Sequence, residues 1–381
     1  MSYRYSNAIV DPGLNTLVAP TPSYQPYLYS WGQNTQGPLG LGNRTNYSSP
    51  KQVGNLTNWS KISANAYYDS SLAIKTDGTL WAWGDNTYGA LGLGNTTSYS
   101  SPKQVGSLTN WSSVVLCGSN QNFAFGIKTD GSLWAWGFNS AGQLGLGNTT
   151  YYSSPKQVGS LTNWLTVAGG YLTSIATKTD GTLWTWGSGQ YGSLGLGNTT
   201  NYSSPKQVGA LTNWLSVTAS YKWSIATKTD GTLWAWGTNY FGALGTGNLN
   251  NYSSPKQIGA LTNWKTVVSG NYGVYALKTD GTLWAWGRNQ FGQLGLGNIT
   301  SYSSPMQVGS LTNWTLIATS AASASILAIQ SNGTLWGWGR GGNGALGLGN
   351  TTNYSSPKQV GSLTTWLSVA SSGYHTLALQ Y

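Results

Sequence analysis

Residues 72–95 read LAIKTDGTLWAWGDNTYGALGLGN, and close copies of this block return along the whole chain. Its Trp-Gly step recurs at Gly32, Gly84, Gly137, Gly187, Gly237, Gly287 and Gly339, at spacings of 52, 53, 50, 50, 50 and 52 residues. A period near 50 marks a propeller or an array, in which one unit cannot bury its apolar side alone. Asp77-Gly78 stands between two alternating apolar runs, which predicts a tight hairpin with a primed turn whose residues take positive φ. In the next copy Ser132-Leu133-Trp134-Ala135-Trp136 is the return strand. With a period of two, Trp134 and Trp136 share one side of it and Leu133 and Ala135 the other. Neither side is charged, so both should be covered, as in a blade packed between two neighbours.

The expected fold is therefore all-β. It is a seven-bladed β-propeller of four-stranded antiparallel blades over residues 27–381, preceded by an extended arm over 1–26. The two ends are complementary. The first copy starts late, at Tyr27-Leu28-Tyr29-Ser30-Trp31-Gly32, and the last stops early, at His375-Thr376-Leu377-Ala378-Leu379-Gln380. Pairing the N- and C-terminal strands would complete one blade and leave no open edge. Of the 21 tryptophans, 13 fall in the return strands and seven follow the linker that ends each copy, leaving Trp223 off pattern. Each buried indole removes roughly 150–250 Å2 from water, about 4–6 kcal/mol before entropy is subtracted, which makes these rings core.

Blocks such as residues 72–95 resemble the repeat of the regulator of chromosome condensation family. The resemblance covers about residues 27–381 and all seven copies. It implies a seven-bladed propeller with a shared terminal blade, used as a binding module that presents loops on a rigid ring. Such modules include a nucleotide-exchange factor for a small GTPase at chromatin, parts of ubiquitin ligases and a secreted bacterial inhibitor of beta-lactamase. No functional residue carries over, because this near-uniform chain contains no glutamate and does not display the polar surface that nucleotide exchange uses.

Only 7% of the residues are charged, with 18 bases against eight aspartates. Five aspartates (Asp77, Asp130, Asp180, Asp230, Asp280) sit in the repeated hairpin turn, two residues after a lysine that can neutralise them. Lys51, Lys103, Lys156, Lys206, Lys256 and Lys358 follow a repeated Ser-Ser-Pro with no acid nearby. They form a ring that a polyanion could meet, but a solvated rim is the simpler reading, and no nucleic-acid partner is expected. Cys117 is alone, which excludes a disulfide or a thiolate metal site. No apolar run approaches the ~18 residues of a membrane helix, and residues 1–26 lack a secretory leader, so synthesis in the cytoplasm is expected.

His375 is the single histidine, with no carboxylate near it in sequence, and reads as packed or surface. Each repeat aspartate is claimed by its own turn. The Gly-x-Gly steps open no helix and are not phosphate loops. No catalytic, cofactor or metal residue is expected, and the chain reads as a non-enzyme.

What remains is divergence between near-identical copies, confined to two windows per repeat. One precedes the second strand (for example 64–70 and 218–223), and the other follows Trp-Gly (for example 238–241). Packing demands are equal in every blade, so positions freed from the repeat should face solvent or a partner. The candidate binding residues are Tyr67, Tyr68, Phe123, Tyr171, Tyr221, Trp223, Tyr240, Phe241, Tyr272, Arg288, Phe291 and Arg340, with core positions competing for half of the aromatics. Tyr3, Tyr5, Ile9 and Val10 of the arm join them, since such a segment can clip to a neighbour by adding a strand. The leading expectation is a structural or attachment protein of a large assembly, a phage or virus particle, contacting other subunits as a head-decorating or tail-associated module of the virion. The alternative is a soluble regulator or inhibitor gripping one GTPase or hydrolase through a ring face. A further alternative is an aromatic-rich carbohydrate-binding module.

Overall fold

The computed structural model describes residues 25–64, 69–118, 121–220, 222–270, 273–319 and 324–381. Within them, 28 strands form seven antiparallel sheets of four. Blade one (59–104) runs outward from the ring centre as Trp59–Ala64, Ser70–Lys75, Leu80–Gly84 and Tyr99–Gln104. Blades two to six (111–157, 164–207, 214–257, 264–307 and 314–359) repeat that order. Blade seven takes its inner strands, Trp366–Ser371 and His375–Gln380, from the C-terminus. Its outer strands, Tyr27–Gly32 and Tyr47–Gln52, come from the N-terminus. Tyr27 pairs with Gln380 and Gly32 with His375 in one unbroken antiparallel register, so the ring closes by the expected shared blade.

The core lies between blades. At the junction of blades one and two, Leu72, Leu80 and Ala82 of one blade pack against Trp111, Val114 and Trp136 of the next. Seven such clusters, one per junction, encircle the ring. The side-chain alternation of the third strand thus gives each neighbouring blade one half of the strand's apolar residues. Trp111 meets both Trp134 and Trp136 edge to face, with centroids 6.3 and 5.9 Å apart.

A hydrogen-bonded staple accompanies the packing. The indole of Trp136 donates to the Ala90 carbonyl of the preceding blade (2.7 Å). The same bond is made by Trp83 to Pro38, Trp186 to Gln143, Trp236 to Ser193, Trp286 to Ala243, Trp338 to Gln293 and Trp31 to Ala345. The indole can approach only because the facing residue is glycine. A Cβ on Gly92, which also has φ +72°, would stand 3.0 Å from the Trp136 Nε1.

The repeated Asp-Gly turn differs from the primed turn expected for it. Gly78 alone takes positive φ (+78°), and its N–H donates to the Lys75 carbonyl (2.9 Å), while Lys75 N–H donates to the Thr79 carbonyl (3.0 Å). This is a type I turn closed by a left-handed glycine. Asp77 stays at negative φ because its Oδ1 accepts from both the Thr79 N–H (2.9 Å) and the Thr79 hydroxyl (2.7 Å).

Antiparallel strands alternate direction, so each blade turns twice on each side of the ring. The Asp-Gly turn and the Leu-Thr link to the next blade share one side, here the turn face, where Trp111 N–H donates to the Gly78 carbonyl (3.2 Å). The hairpin between inner and second strands and the long loop after Trp-Gly share the other, the loop face. The six exposed lysines after Ser-Ser-Pro occupy the outermost strands, five of them stacked over tyrosines (Lys51 on Tyr47 at 5.5 Å), so they girdle the circumference and belong to neither face.

Candidate partner-binding face

Both divergent windows open on the loop face, and the backbone ties them together. The N–H groups of Asp85, Phe138, Ser188, Thr238 and Arg340 donate to the carbonyls of Asp69, Asn122, Leu172, Lys222 and Ala324. Beneath the variable tips a repeated asparagine fixes the long loop. Asn239 accepts the Leu244 N–H (2.9 Å) through Oδ1 and donates to the Asn248 carbonyl (2.8 Å) through Nδ2. Asn86, Asn139 and Asn289 do the same. Blade seven uses Asn34 in the same way, while blades three and six carry Gly189 and Gly341 there, whose N–H groups donate to Asn201 and Asn353.

At those tips stand exposed aromatics: Tyr191 (37% exposed), Tyr240 (51%) and Phe241 (47%). Tyr191 and Phe241 adopt left-handed backbone, φ +62° and +57°, within short 3-10 turns. An L-residue pays roughly 1–2 kcal/mol for that conformation. Cations cover three of the rings in a relay. Lys222 of blade four lies 4.2 Å from the ring centroid of Tyr191 in blade three, and Arg288 of blade five lies 4.8 Å from Phe241 of blade four. Arg340 of blade six lies 5.4 Å from Phe291 of blade five. Each cation sits one blade ahead of its ring.

Of the residues expected to bind, Tyr240, Phe241, Arg288, Phe291 and Arg340 come together here. Tyr171 is a half-buried member of the same face, and its N–H donates to the Ser220 carbonyl (3.2 Å). Phe123 and Trp223 leave the set, since both are buried (0% and 1% exposed). They open second strands, which are covered on both sides, so core packing claims them. Tyr67, Tyr68, Tyr221 and Tyr272 lie outside the described residues, as do Tyr3, Tyr5, Ile9 and Val10 and the arm's docking role. Sequence reasoning passed over Tyr191 and Lys222. The signal was present: the residue before the second loop glycine is aromatic in four copies (Tyr88, Tyr191, Phe241, Phe291).

A second constellation forms where blade seven meets blade one, and there ring closure brings a carboxylate to His375. The imidazole is fully buried, with Nε2 3.0 Å from the Ser71 hydroxyl, Nδ1 2.8 Å from the Ser372 hydroxyl and Nδ1 3.7 Å from Asp69 Oδ1. The Ser71 hydroxyl donates to the Pro38 carbonyl (2.8 Å), so its oxygen receives the imidazole proton. That polarity is the reverse of a serine activated by histidine. The buried group acts as a seam between two blades. Burial, opposed by the Thr87 hydrogen bonds and reinforced by the Asp69 carboxylate, raises the neighbouring Asp85 carboxyl above its usual range. Burial pushes the Cys117 thiol upward as well. Among the described residues, no group of three or more His, Cys, Asp or Glu side chains is placed to hold a metal ion, and no helix is long and apolar enough to cross a membrane.

Comparison with known proteins places this geometry. The Regulator of chromosome condensation (RCC1) repeat matches residues 27–68, 77–125, 130–177, 180–227, 230–277, 280–326 and 332–379. Human E3 ubiquitin-protein ligase HERC2 is 31% identical over 136 residues, 35% of this chain and 3% of the ligase. The X-linked retinitis pigmentosa GTPase regulator of Canis lupus familiaris is 34% identical over 131 residues, 34% of this chain and 13% of that protein. The match thus spans a small part of those relatives' lengths. Among solved structures, Saccharomyces cerevisiae Prp20p, described with its binding to Gsp1p and histones, superposes with a TM-score of 0.80 at 18% identity, covering 94% of this chain and 92% of that one. Human WBSCR16 gives 0.80 at 21% identity, covering 93% and 98%. These two likenesses establish the fold.

The expected role as a phage or virion component is overturned by these matches, which include a GTPase regulator and a ubiquitin ligase and favour the regulator alternative. One of its physical motives also dissolves. Near-identical, charge-poor, Trp-rich repeats are what seven equivalent blade junctions require.

Proposed function

The chain belongs to the regulator of chromosome condensation repeat family, and from that premise we propose that it is a non-catalytic binding module holding one protein partner against its loop face. The observation that carries this reading is the sidedness of its variation. Six blades keep the Asp-Gly or Asn-Gly turn almost unchanged on the turn face, whereas the loop face changes from blade to blade and presents exposed aromatics. Rigid aromatic anchors on a preorganised surface are the usual centres of protein interfaces. Membership adds that relatives include a GTPase regulator, so a GTPase or another single globular regulator target is the class of partner proposed.

The test is affinity capture from source cells with three forms of the chain. The first is unaltered. The second carries Tyr240→Ala, Phe241→Ala and Phe291→Ala on the loop face. The third carries Leu211→Ala, Leu261→Ala and Leu311→Ala on the turn face. A partner lost only from the second form supports the reading, and one lost only from the third overturns it.

A further inference from the structure

Resting on that reading, we propose that the loop face of blades three to six recognises an acidic polypeptide segment of its partner. Charge on the two faces is segregated. The described cations of the loop face are Arg44, Lys222, Arg288 and Arg340, all at least partly exposed. Its described acids, Asp69 and Asp85, are 3% and 5% exposed and stand in blade one, away from that sector. The short segments between the described stretches, residues 65–68, 119–120, 221, 271–272 and 320–323, include no Lys, Arg, Asp or Glu. Among the described residues, the exposed charge of this face is positive only.

The three cation–ring pairs, Lys222 on Tyr191, Arg288 on Phe241 and Arg340 on Phe291, are strung along consecutive blades. Stacking fixes each cation over its ring, so part of the ordering cost is met before a carboxylate arrives. The left-handed backbone at Tyr191 and Phe241 is maintained at exposed positions, where the strain is not repaid by full burial of the side chain. Such strain points to a functional constraint.

Nucleic acid fits this arc less well. Base stacking needs an open aromatic face, and one face of each of Tyr191, Phe241 and Phe291 is already covered by a cation. Three neutralised phosphates would also give only weak binding, with a log–log salt slope of about −2 to −3. An extended acidic segment with apolar side chains matches both parts of the arc, since carboxylates reach the cations and apolar groups reach the exposed ring edges and Tyr240.

Fluorescence anisotropy on the full chain tests this with three labelled probes: a peptide alternating Glu and Phe, its Lys and Phe counterpart, and single-stranded DNA of matching charge. The Glu peptide alone is expected to bind. The triple variant Lys222→Ala, Arg288→Ala, Arg340→Ala should weaken it by about tenfold or more. Removing equal charge from the rim, with Lys206→Ala, Lys256→Ala and Lys358→Ala, should leave it within about twofold if the arc and not bulk charge is read. Equal loss in both variants, or tighter binding of the DNA, overturns the proposal. So does head-to-tail self-association of the chain, abolished by the same arc variant, with no peptide binding. If the Glu peptide fails while the captured partner still depends on Tyr240, Phe241 and Phe291, the acidic inference falls and the loop-face reading stands. Should the partner be indifferent to those residues, that reading itself falls.

Discussion

The two faces of this ring are built from the same seven blades and follow opposite rules. On the turn face blades one to five repeat one solution. An exposed aspartate caps the turn, and a lysine is laid flat on a tryptophan, as Lys178 is at 3.7 Å from Trp184, while blade six keeps the same turn with Asn332 for the aspartate and Gln330 for the lysine. A leucine in the link stays about half exposed, from Leu108 at 46% to Leu211 at 51%. The lysine ammonium is drawn out of solvent and its pKa lowered by that burial, only partly offset by Asp180, so the exposed charge at these turns is the aspartate carboxylate. On the loop face the residues change from blade to blade, and the charge shown is cationic. The difference teaches that repetition follows structural duty. Positions that close a turn or feed a junction cannot vary, and those that do neither are where a partner can be specified.

Both faces depend on closure, so the largest expected effect comes from removing it. Deleting residues 27–32 takes the third strand from blade seven and leaves the edges of His375–Gln380 and Tyr47–Gln52 unpaired. The sharp thermal transition should disappear in calorimetry. A melt as steep as that of the full chain would show that blade seven is dispensable and that the faces are not features of one cooperative body. Next in size is Trp236→Ala, which empties a junction and deletes the staple to Ser193, at an expected cost of about 3–5 kcal/mol in denaturant unfolding. Tyr240→Ala, a few residues away on the loop face, should stay within about 0.5 kcal/mol. Equal costs would erase the distinction between packed and presented aromatics.

Lys61 breaks the pattern, as a singular charged residue on the inner strand of blade one rather than on the loop face. Burial lowers its pKa from 10.5 to about 7. The unfolded chain therefore binds more protons between pH 7 and 10.5, and stability should rise with pH across that window. Lys61→Met should flatten the rise and add on the order of 1–3 kcal/mol at neutral pH. A loss of stability instead would mean that Lys61 makes a favourable contact outweighing its burial. In acid the turn face should lose stability as well, with a pH slope of the same sign in a lower window. The Thr79 and Thr182 hydrogen bonds hold the Asp77 and Asp180 carboxyls below their usual range, so the stability they contribute is present above about pH 4 and lost as pH falls through the lowered values. Asp180→Asn should reduce that acid sensitivity, as read from midpoints between pH 5 and 2.

Fold and closure were legible because they are written in periodicity. Trp31 and Leu377 belong to the same repeat pattern although they are joined only by ring closure, and the truncated copies at the two ends declare the pairing. The Asp-Gly turn was misread in type because the competing Thr79 contacts to Asp77 decide its φ, and those depend on a side-chain hydroxyl rather than on the glycine. The loop face was legible as divergence, but residue type alone did not separate Phe241 from Phe123. One stands at a tip and the other opens a doubly covered strand, a distinction of position within the blade. Least legible was the seam of His375, Asp69 and Ser71, since these meet only when blade seven docks on blade one.

The smallest effect separates strain from contact. Phe241 and Phe291 occupy the same loop position in adjacent blades, and each lies under an arginine of the next blade. Only Phe241 has left-handed backbone, at φ +57°. Replacing either by glycine removes a similar cation–ring contact and loosens the unfolded chain equally, so those terms cancel in the difference. What remains is the left-handed penalty, which glycine does not pay. Phe241→Gly should therefore be more stable than Phe291→Gly by about 1–2 kcal/mol in denaturant unfolding, while both weaken partner binding. If the two substitutions cost the same, the loop of blade four is not strained, and its unusual backbone is no sign of selection for presentation. If the difference appears but binding survives Phe241→Gly, the strain serves the loop alone, and the anchor of the face must be sought in Tyr240.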